Sequence, residues 1–163
     1  TIDRLYAIGE ASSTGLHGAN RLASNSLMEA VVYADRSARD SKTRIAALGF
    51  KKGLPEWDYG GTTYPEEMVM ITQNFKEVHQ IMSNYVGIVR SNLRLERALK
   101  RLEIIYKETE ELYEKSTLSL NLCELRNLIN IGYLVIKMAQ NMHESRGLHY
   151  TLDYPPKNPV SEF

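Results

Sequence analysis

Apolar residues recur at spacings of three and four through most of residues 65–147, and this period constrains the fold more than any other feature. Such spacing places side chains on one face of an α-helix. Three successive stripes can be traced, and they are Ile71, Phe75, Val78, Met82, Tyr85 and Val89; Leu95, Ala98, Leu102, Ile105, Thr109 and Leu112; and Leu125, Leu128, Ile129, Gly132, Val135, Ala139 and Met142. Because short connections join the stripes, the sequence predicts a mainly α fold with an antiparallel three-helix bundle.

Local signals predict where these helices begin and end. Pro65 suits the first position of a helix, where a missing N–H costs nothing. Gly87 is expected to kink or end the first helix, and Asn92 to cap the second. The third helix is predicted to begin near Asn121 and to stop at Gly147, which suits a left-handed C-cap.

The N-terminal part has a different pattern. Residues 5–8 (Leu-Tyr-Ala-Ile) form a short apolar run that predicts a buried strand. A loop with Gly9, Gly15 and Gly18 follows and leads into a helix that we expect to reach about residue 40. Glycine lets the backbone approach a ligand closely, and a first helical turn offers unpaired N–H donors to an anion. The same pattern equally suits an ordinary strand-to-helix connection.

We therefore predict three segments: a strand-loop-helix fragment over residues 1–48, a linker over residues 49–64, and the helical bundle with a C-terminal tail over residues 65–163. The linker is rich in glycine and proline. The helix of the first segment is apolar on nearly all sides, so it needs more cover than this segment supplies. We expect that its environment includes sheet elements outside this chain.

Composition excludes several classes of function. The 20 Lys and Arg residues balance the 20 Asp and Glu residues, so no net charge favours nucleic acid or an anionic membrane. No apolar run approaches the length of a membrane span, and no signal peptide is recognisable. A single cysteine, Cys123, allows no internal disulfide and fits a cytoplasmic protein. The four histidines lack the spacing of metal ligands, so no metal site is predicted.

Several blocks resemble the succinate dehydrogenase and fumarate reductase flavoprotein family. The blocks are residues 5–11, 17–22, 125–128, 144–150 and 153–155, and residues 23–30 favour the aspartate oxidase branch of that family. The resemblance implies that residues 1–48 come from an FAD-binding domain and that a helical domain follows. It also implies hydride transfer to FAD from L-aspartate or another dicarboxylate, giving iminoaspartate for quinolinate and NAD synthesis in the case of aspartate.

The resemblance also implies roles for individual residues. Arg21 would hold a substrate carboxylate beside the flavin, and a planar guanidinium suits this role because it donates two parallel hydrogen bonds. Glu10 would hydrogen-bond the ribityl side of FAD. The residues expected to lie against the isoalloxazine, with backbone N–H groups toward its pyrimidine edge, are Asn25, Ser26 and Leu27. His17 either contacts substrate or shapes the turn, and both alternatives stay open.

The sequence contains no Gly-x-Gly-x-x-Gly fingerprint for the ADP half of FAD. We therefore expect the isolated chain neither to hold FAD tightly nor to oxidise aspartate. The expected partners are the remainder of the FAD-binding domain and quinolinate synthase. The alternatives are a fragment of a succinate dehydrogenase or fumarate reductase flavoprotein subunit, and a non-enzymatic helical interaction module formed by residues 65–147.

Overall fold

The computed structural model describes residues 2–58, 62–63 and 68–156. Residue contacts separate the chain into two units, with the boundary between Trp57 and Asp58. We call them the N-terminal unit and the C-terminal unit. The described residues form four α-helices and two short strands, so the chain is mainly helical. None of the helices in the described ranges is long and apolar enough to cross a membrane.

The N-terminal unit consists of a glycine-containing loop and one long helix. The loop includes a 3-10 turn at Gly9–Ala11, which packs against helix α1, Ala23–Ile45. The strand predicted at residues 5–8 is wrong, because these residues are irregular and their side chains are exposed. A strand needs a neighbour to pair with its backbone N–H and C=O groups, and the described residues of this unit supply none.

Helix α1 buries a different kind of side chain from most surface helices. Its apolar Leu27, Met28 and Val31 are exposed, whereas its one buried residue is Glu29. The helix also extends past the predicted end near residue 40, as far as Ile45. A polar contact, and not an apolar stripe, therefore joins α1 to the loop.

The described residues of the C-terminal unit form three helices and two strands. They are α2, Met68–Tyr85; β1, Val89–Arg90; α3, Asn92–Lys115; α4, Leu120–Gln140; and β2, Tyr150–Thr151. Each of the three helices contacts the other two. The predicted helix start at Pro65 lies outside the described residues.

The predicted apolar stripes form most of the core of this unit. The buried apolar residues are Ile71, Val78, Ile81, Val86, Leu95, Ala98, Leu102, Ile105, Leu122, Leu125, Ile129, Ile136 and Ala139. Three stripe positions are wrong: Val135 is exposed and Ile136 is buried in its place, Val89 lies in β1, and Met142 lies after the end of α4. Adjacent helical residues differ by about 100° in direction, so an error of one position moves a side chain off the buried face.

The helix ends differ from the predictions by small shifts. Ser91 and not Asn92 caps α3, since its hydroxyl accepts a hydrogen bond from the N–H of Arg94 at 3.3 Å. Ser119 caps α4 by accepting from the N–H of Leu122 at 3.3 Å, two residues before the predicted start. In both cases a serine hydroxyl accepts from the backbone N–H three residues later, which is the usual geometry of an N-cap.

Helix α4 ends at Gln140, well before the predicted stop at Gly147. Gly147 has a positive φ of 58°, but it lies in a separate turn closed by backbone hydrogen bonds between Arg146 and His149. Strand β2 follows and pairs in parallel with β1, with Val89 opposite Tyr150. Strand pairing and a turn therefore replace the last predicted turns of the helix.

The segment after α4 is held by side-chain hydrogen bonds as well. The Ser145 hydroxyl accepts from the N–H of Thr151 at 3.0 Å and donates to the carbonyl of Tyr154 at 2.7 Å. An Asp153 carboxylate oxygen accepts from the N–H of Asn92, the first residue of α3, at 2.6 Å. A carboxylate at a helix N-terminus is also favoured by the helix dipole.

Candidate functional site

A groove of about 550 Å³ lies at the start of helix α1. The residues that line it are Glu10, Arg21, Ala23, Ser26, Leu27 and Ala30. The structure thus brings together four of the five residues that the sequence predicted as a site. The fifth, Asn25, does not line the groove, and its backbone N–H bonds to the carbonyl of Leu22 at 3.1 Å.

Arg21 is the charged centre of this groove. Its Nε donates to the Ser26 hydroxyl at 2.5 Å, and its Nη2 donates to a Glu10 carboxylate oxygen at 2.9 Å. The Arg21 side chain is 41% exposed and that of Glu10 is 83% exposed. Ion pairs this exposed contribute little free energy. The guanidinium can therefore exchange Glu10 for another carboxylate at little cost.

The first turn of α1 has no side-chain cap, although the N–H of Asn25 is bonded to the carbonyl of Leu22. Its N-cap residue is Leu22, which has no side-chain oxygen and makes no capping hydrogen bond. Backbone N–H groups at an uncapped N-terminus, together with the positive end of the helix dipole, attract negative charge.

A buried polar cluster between the glycine loop and α1 was not predicted from the sequence. Glu29 is only 7% exposed, and it accepts hydrogen bonds from the Thr14 hydroxyl and from His17, whose Nε2 lies 2.5 Å from Oε2. The hydrogen bond from Thr14, followed by that from His17, lowers the pKa of the Glu29 carboxyl. The signal in the sequence was one carboxylate within the apolar start of a helix.

The C-terminal unit has a buried polar pair of its own. Arg90 donates from Nη1 to His149 Nδ1 at 2.7 Å and from Nε to the carbonyl of Val86 at 3.0 Å. Burial, and secondarily the charge of Arg90, lowers the pKa of His149, so its ring is neutral near pH 7. The sequence assigned no role to His149, and the structure places it in a contact within its own unit.

Among residues 2–58, 62–63 and 68–156, no three or more His, Cys, Asp or Glu side chains are grouped so as to hold a metal ion. Cys123 is a free, half-buried thiol on α4. The chemistry of the described groove is therefore that of a guanidinium, a hydroxyl, a carboxylate and a helix N-terminus.

Comparison with known families gives the class of protein. Residues 75–160 match the model of the fumarate reductase flavoprotein C-terminal domain, and residues 1–27 match that of an FAD-binding domain. The chain therefore belongs to the fumarate reductase flavoprotein family. The predicted resemblance is confirmed, and the match of the first 27 residues supports FAD as the cofactor.

Individual relatives narrow the class. The chain is 50% identical to the L-aspartate oxidase of Yersinia pestis over 94% of its length, and 47% identical to that of Vibrio cholerae over 94%. It is 39% identical to the chloroplastic L-aspartate oxidase of Arabidopsis thaliana over 93%. The chain spans 29% of the length of each of the two bacterial relatives and 26% of the plant one.

A solved structure agrees with the family. The chain is similar to the Mycobacterium smegmatis Sdh1 complex in the apo form, with a TM-score of 0.73 and 25% sequence identity. The match covers 94% of this chain and 28% of the chain in that complex.

The donor set of the groove suits the flavin ring of FAD. The uncapped N-terminus of α1 offers N–H groups and a positive potential, while Leu27 and Ala30 offer an apolar wall. A flavin ring is flat and apolar on its faces and carries negative charge at its pyrimidine edge when reduced. A preorganised helix N-terminus stabilises such charge without moving a proton.

Proposed function

We propose that this chain is the C-terminal portion of an FAD-dependent flavoenzyme that oxidises L-aspartate to iminoaspartate. The observation that carries the proposal is the joint placement of the Arg21 guanidinium and the uncapped start of α1 on one groove. A dicarboxylate substrate and an electron-rich ring need these two kinds of group side by side. The identity to proteins named L-aspartate oxidase supports the choice of aspartate.

Arg21 would bind and orient the substrate. A substrate carboxylate would replace the carboxylate of Glu10 on Nη2, and two parallel hydrogen bonds would fix its plane. FAD, when bound, would accept the hydride that leaves the α-carbon of aspartate. The amino nitrogen would release a proton to solvent, which completes the imine. A fixed substrate plane matters because hydride transfer depends on close, aligned reacting atoms.

The other groove residues would serve the cofactor. Glu10, once released from Arg21, would accept a hydrogen bond from a hydroxyl on the ribityl side of FAD. Ser26 and Leu27 would lie against the isoalloxazine, and Asn25 would extend the same helical turn beside it. These assignments are supported by the groove lining for Glu10, Ser26 and Leu27, and by position in α1 for Asn25.

The remaining features follow from the same proposal. Helices α2, α3 and α4 would form an antiparallel three-helix bundle, and the rest of the FAD-binding domain would complete the groove in the N-terminal unit. The enzyme would be cytoplasmic, and its product would pass to quinolinate synthase for NAD synthesis. The 163 residues alone would hold no FAD tightly, so a purified chain with about one flavin bound would contradict the proposal.

The test is an assay of the full-length protein with L-aspartate and with succinate under air. We expect aspartate to reduce the flavin and oxygen to reoxidise it, with iminoaspartate as the product. Oxidation of succinate but not aspartate would instead support the second candidate, a succinate dehydrogenase or fumarate reductase flavoprotein subunit. The similarity to the Mycobacterium smegmatis complex favours that candidate.

A further inference from the structure

Glu29 holds two separate points of the glycine loop. Its Oε1 accepts from the hydroxyl of Thr14, and its Oε2 lies 2.5 Å from Nε2 of His17. An ionised carboxylate can only accept, so the proton of this bond belongs to the histidine nitrogen. Both oxygens of Glu29 are therefore engaged with the loop, and Nε2 of His17 is engaged with Glu29.

The backbone connects this cluster to Arg21. The carbonyl of His17 accepts a hydrogen bond from the N–H of Asn20 at 3.3 Å, which closes a turn directly before Arg21. Gly18, inside that turn, has a positive φ of 57°. The ring of His17 thus fixes one end of the turn, and the other end carries the guanidinium.

The contacts of the Arg21 side chain are too exposed to fix it by themselves. Glu10, its ionic partner, is largely exposed, whereas Glu29 is buried. A hydrogen bond to a buried charged group is worth more than one at the surface, and leaving one partner unpaired there is costly. The buried cluster is therefore the stronger restraint on where Arg21 leaves the backbone.

We propose that Glu29 is a positioning residue of the dicarboxylate site, which holds Thr14 and His17 and so fixes the turn that carries Arg21. The inference rests on the proposed function for its ligand, a dicarboxylate. It assigns to His17 the role of shaping the turn, since its Nε2 is taken up by Glu29. Glu29 itself touches neither substrate nor flavin.

The test uses the full-length flavoprotein loaded with FAD. Malonate serves as the probe, because it is a dicarboxylate with a single methylene and no amino group, so no C–C or C–N bond in it can be dehydrogenated. The flavin absorbance reports its dissociation constant. The variants are Glu29→Ala, Glu29→Gln and the control Asp35→Ala. Asp35 lies on the same helix, and its ion pair with Arg39 is exposed. Hydrogen exchange of the backbone amides in residues 14–21 supplies a second readout.

We expect Glu29→Ala to raise the dissociation constant of malonate about 10- to 100-fold, as for a displaced positioning group. Glu29→Gln should have a smaller effect, because its amide keeps one acceptor oxygen. Flavin content should stay unchanged in both variants. The amides of residues 14–21 should exchange faster in Glu29→Ala, and Asp35→Ala should match the wild type in every measurement.

Wild-type affinity for malonate in Glu29→Ala would overturn the inference. So would a loss of affinity that follows a loss of flavin, because Glu29 would then only support the fold. If Glu29→Ala does not fold, Thr14→Val and His17→Gln take its place, and wild-type affinity in both overturns the inference. A double Glu29→Gln/His17→Gln variant should bind malonate no less tightly than whichever single variant binds it less tightly. Glu29 and His17 belong to the same chain of contacts, so breaking it twice adds no further loss.

Failure of the proposed function gives a different result. If the groove takes no dicarboxylate, neither aspartate nor succinate, the wild-type flavoprotein does not bind malonate, whatever residue 29 is. The hydrogen exchange of residues 14–21 then decides whether Glu29 holds the loop. Unchanged exchange in Glu29→Ala would overturn this part of the inference as well.

Discussion

The two units of the chain are stabilised by different forces. The described residues of the N-terminal unit bury a single residue, Glu29, and leave apolar side chains such as Leu27 exposed. The C-terminal unit buries an apolar core shared by α2, α3 and α4. Burial of apolar area is the dominant favourable term in folding, so the C-terminal unit carries most of the stability.

The difference matches the function proposed for the N-terminal unit. A groove for a ligand needs exposed donors and apolar surface, and the N-terminal unit offers both around Arg21. Such a surface contributes little to folding, and a few polar contacts around Glu29 hold it in shape. The C-terminal unit instead packs its helices around a shared apolar core. Matched substitutions in the two units test this contrast.

The largest effect is expected from the same leucine truncation in the two units. Leu102 is 1% exposed, so Leu102→Ala should lower the free energy of unfolding by about 2–5 kcal/mol through lost burial and the cavity left behind. Leu27 is 72% exposed, and Leu27→Ala should change it by no more than about 0.5 kcal/mol. Urea unfolding followed by far-UV circular dichroism measures both values. Similar losses at the two positions would refute the contrast.

The next largest effect on stability is expected from alanine substitutions at two glycines, one in each unit. A Cβ at Gly87 would lie 2.5 Å from the backbone carbonyl oxygen of Ser83, so Gly87→Ala should destabilise the C-terminal unit by about 1–3 kcal/mol. A Cβ at Gly49 would meet no atom within 4 Å, and the φ of Gly49 is not positive, so Gly49→Ala should be tolerated. Thermal unfolding compares the two variants, and a Gly87→Ala variant as stable as the wild type would contradict the structure.

The contrast also explains which features could be predicted from sequence. The stripe through Leu95, Ala98 and Leu102 is visible because a buried helical face repeats with the helical period. The predicted strand at residues 5–8 failed, because an apolar run cannot show whether a pairing strand lies beside it. A strand depends on distant residues in a way that an amphipathic helix does not.

The candidate site could be predicted only in part, because its contacts depend on the conformation of a loop. Arg21 and Glu10 were found through a family resemblance, which records residues and not their contacts. Glu29 was missed, because its role depends on Thr14 and His17 reaching it from a loop whose conformation no periodicity fixes. The helix caps were missed because serine and asparagine neighbours suit that position equally well.

A smaller effect is expected from arginine substitutions. Arg126 makes two hydrogen bonds to Glu110, at 2.5 and 3.1 Å, and stacks 4.4 Å from the ring centre of Tyr113. Arg126→Lys loses the paired geometry and the stacking, so we expect a loss of about 1 kcal/mol. Arg39→Lys, in an exposed pair with Asp35 of the N-terminal unit, should have no measurable effect. Equal effects in urea unfolding would contradict the account.

The smallest effect is the dependence of stability on pH, which is expected to differ between the two units. The pKa of His149 is lowered below 6.5 by burial, so the unfolded chain binds a proton first as the pH falls, and the C-terminal unit loses stability below about pH 6.5. The pKa of Glu29 is lowered below 4.5, so its contribution to the N-terminal unit is kept above that pH and lost only in more acidic solution. Hydrogen exchange resolved by residue follows both units.

The His149→Gln variant is the control for this pH dependence. It should remove the loss of stability of the C-terminal unit between neutral pH and about pH 5, because no group then titrates at that position. The N-terminal unit should respond to acid as before. A wild-type pH profile in the variant would show that another group is responsible.

The most direct test of the central claim is the rate of flavin reduction by L-aspartate in the full-length protein with Arg21 replaced. We predict that Arg21→Ala keeps its FAD and slows reduction on the order of 100-fold or more, because the carboxylate loses its charged, paired donors. The rate of flavin reduction in Arg21→Lys should lie between those of the wild type and Arg21→Ala, since lysine keeps the charge without the planar pair of donors. Reduction at the wild-type rate in Arg21→Ala would contradict the claim that this groove binds the substrate.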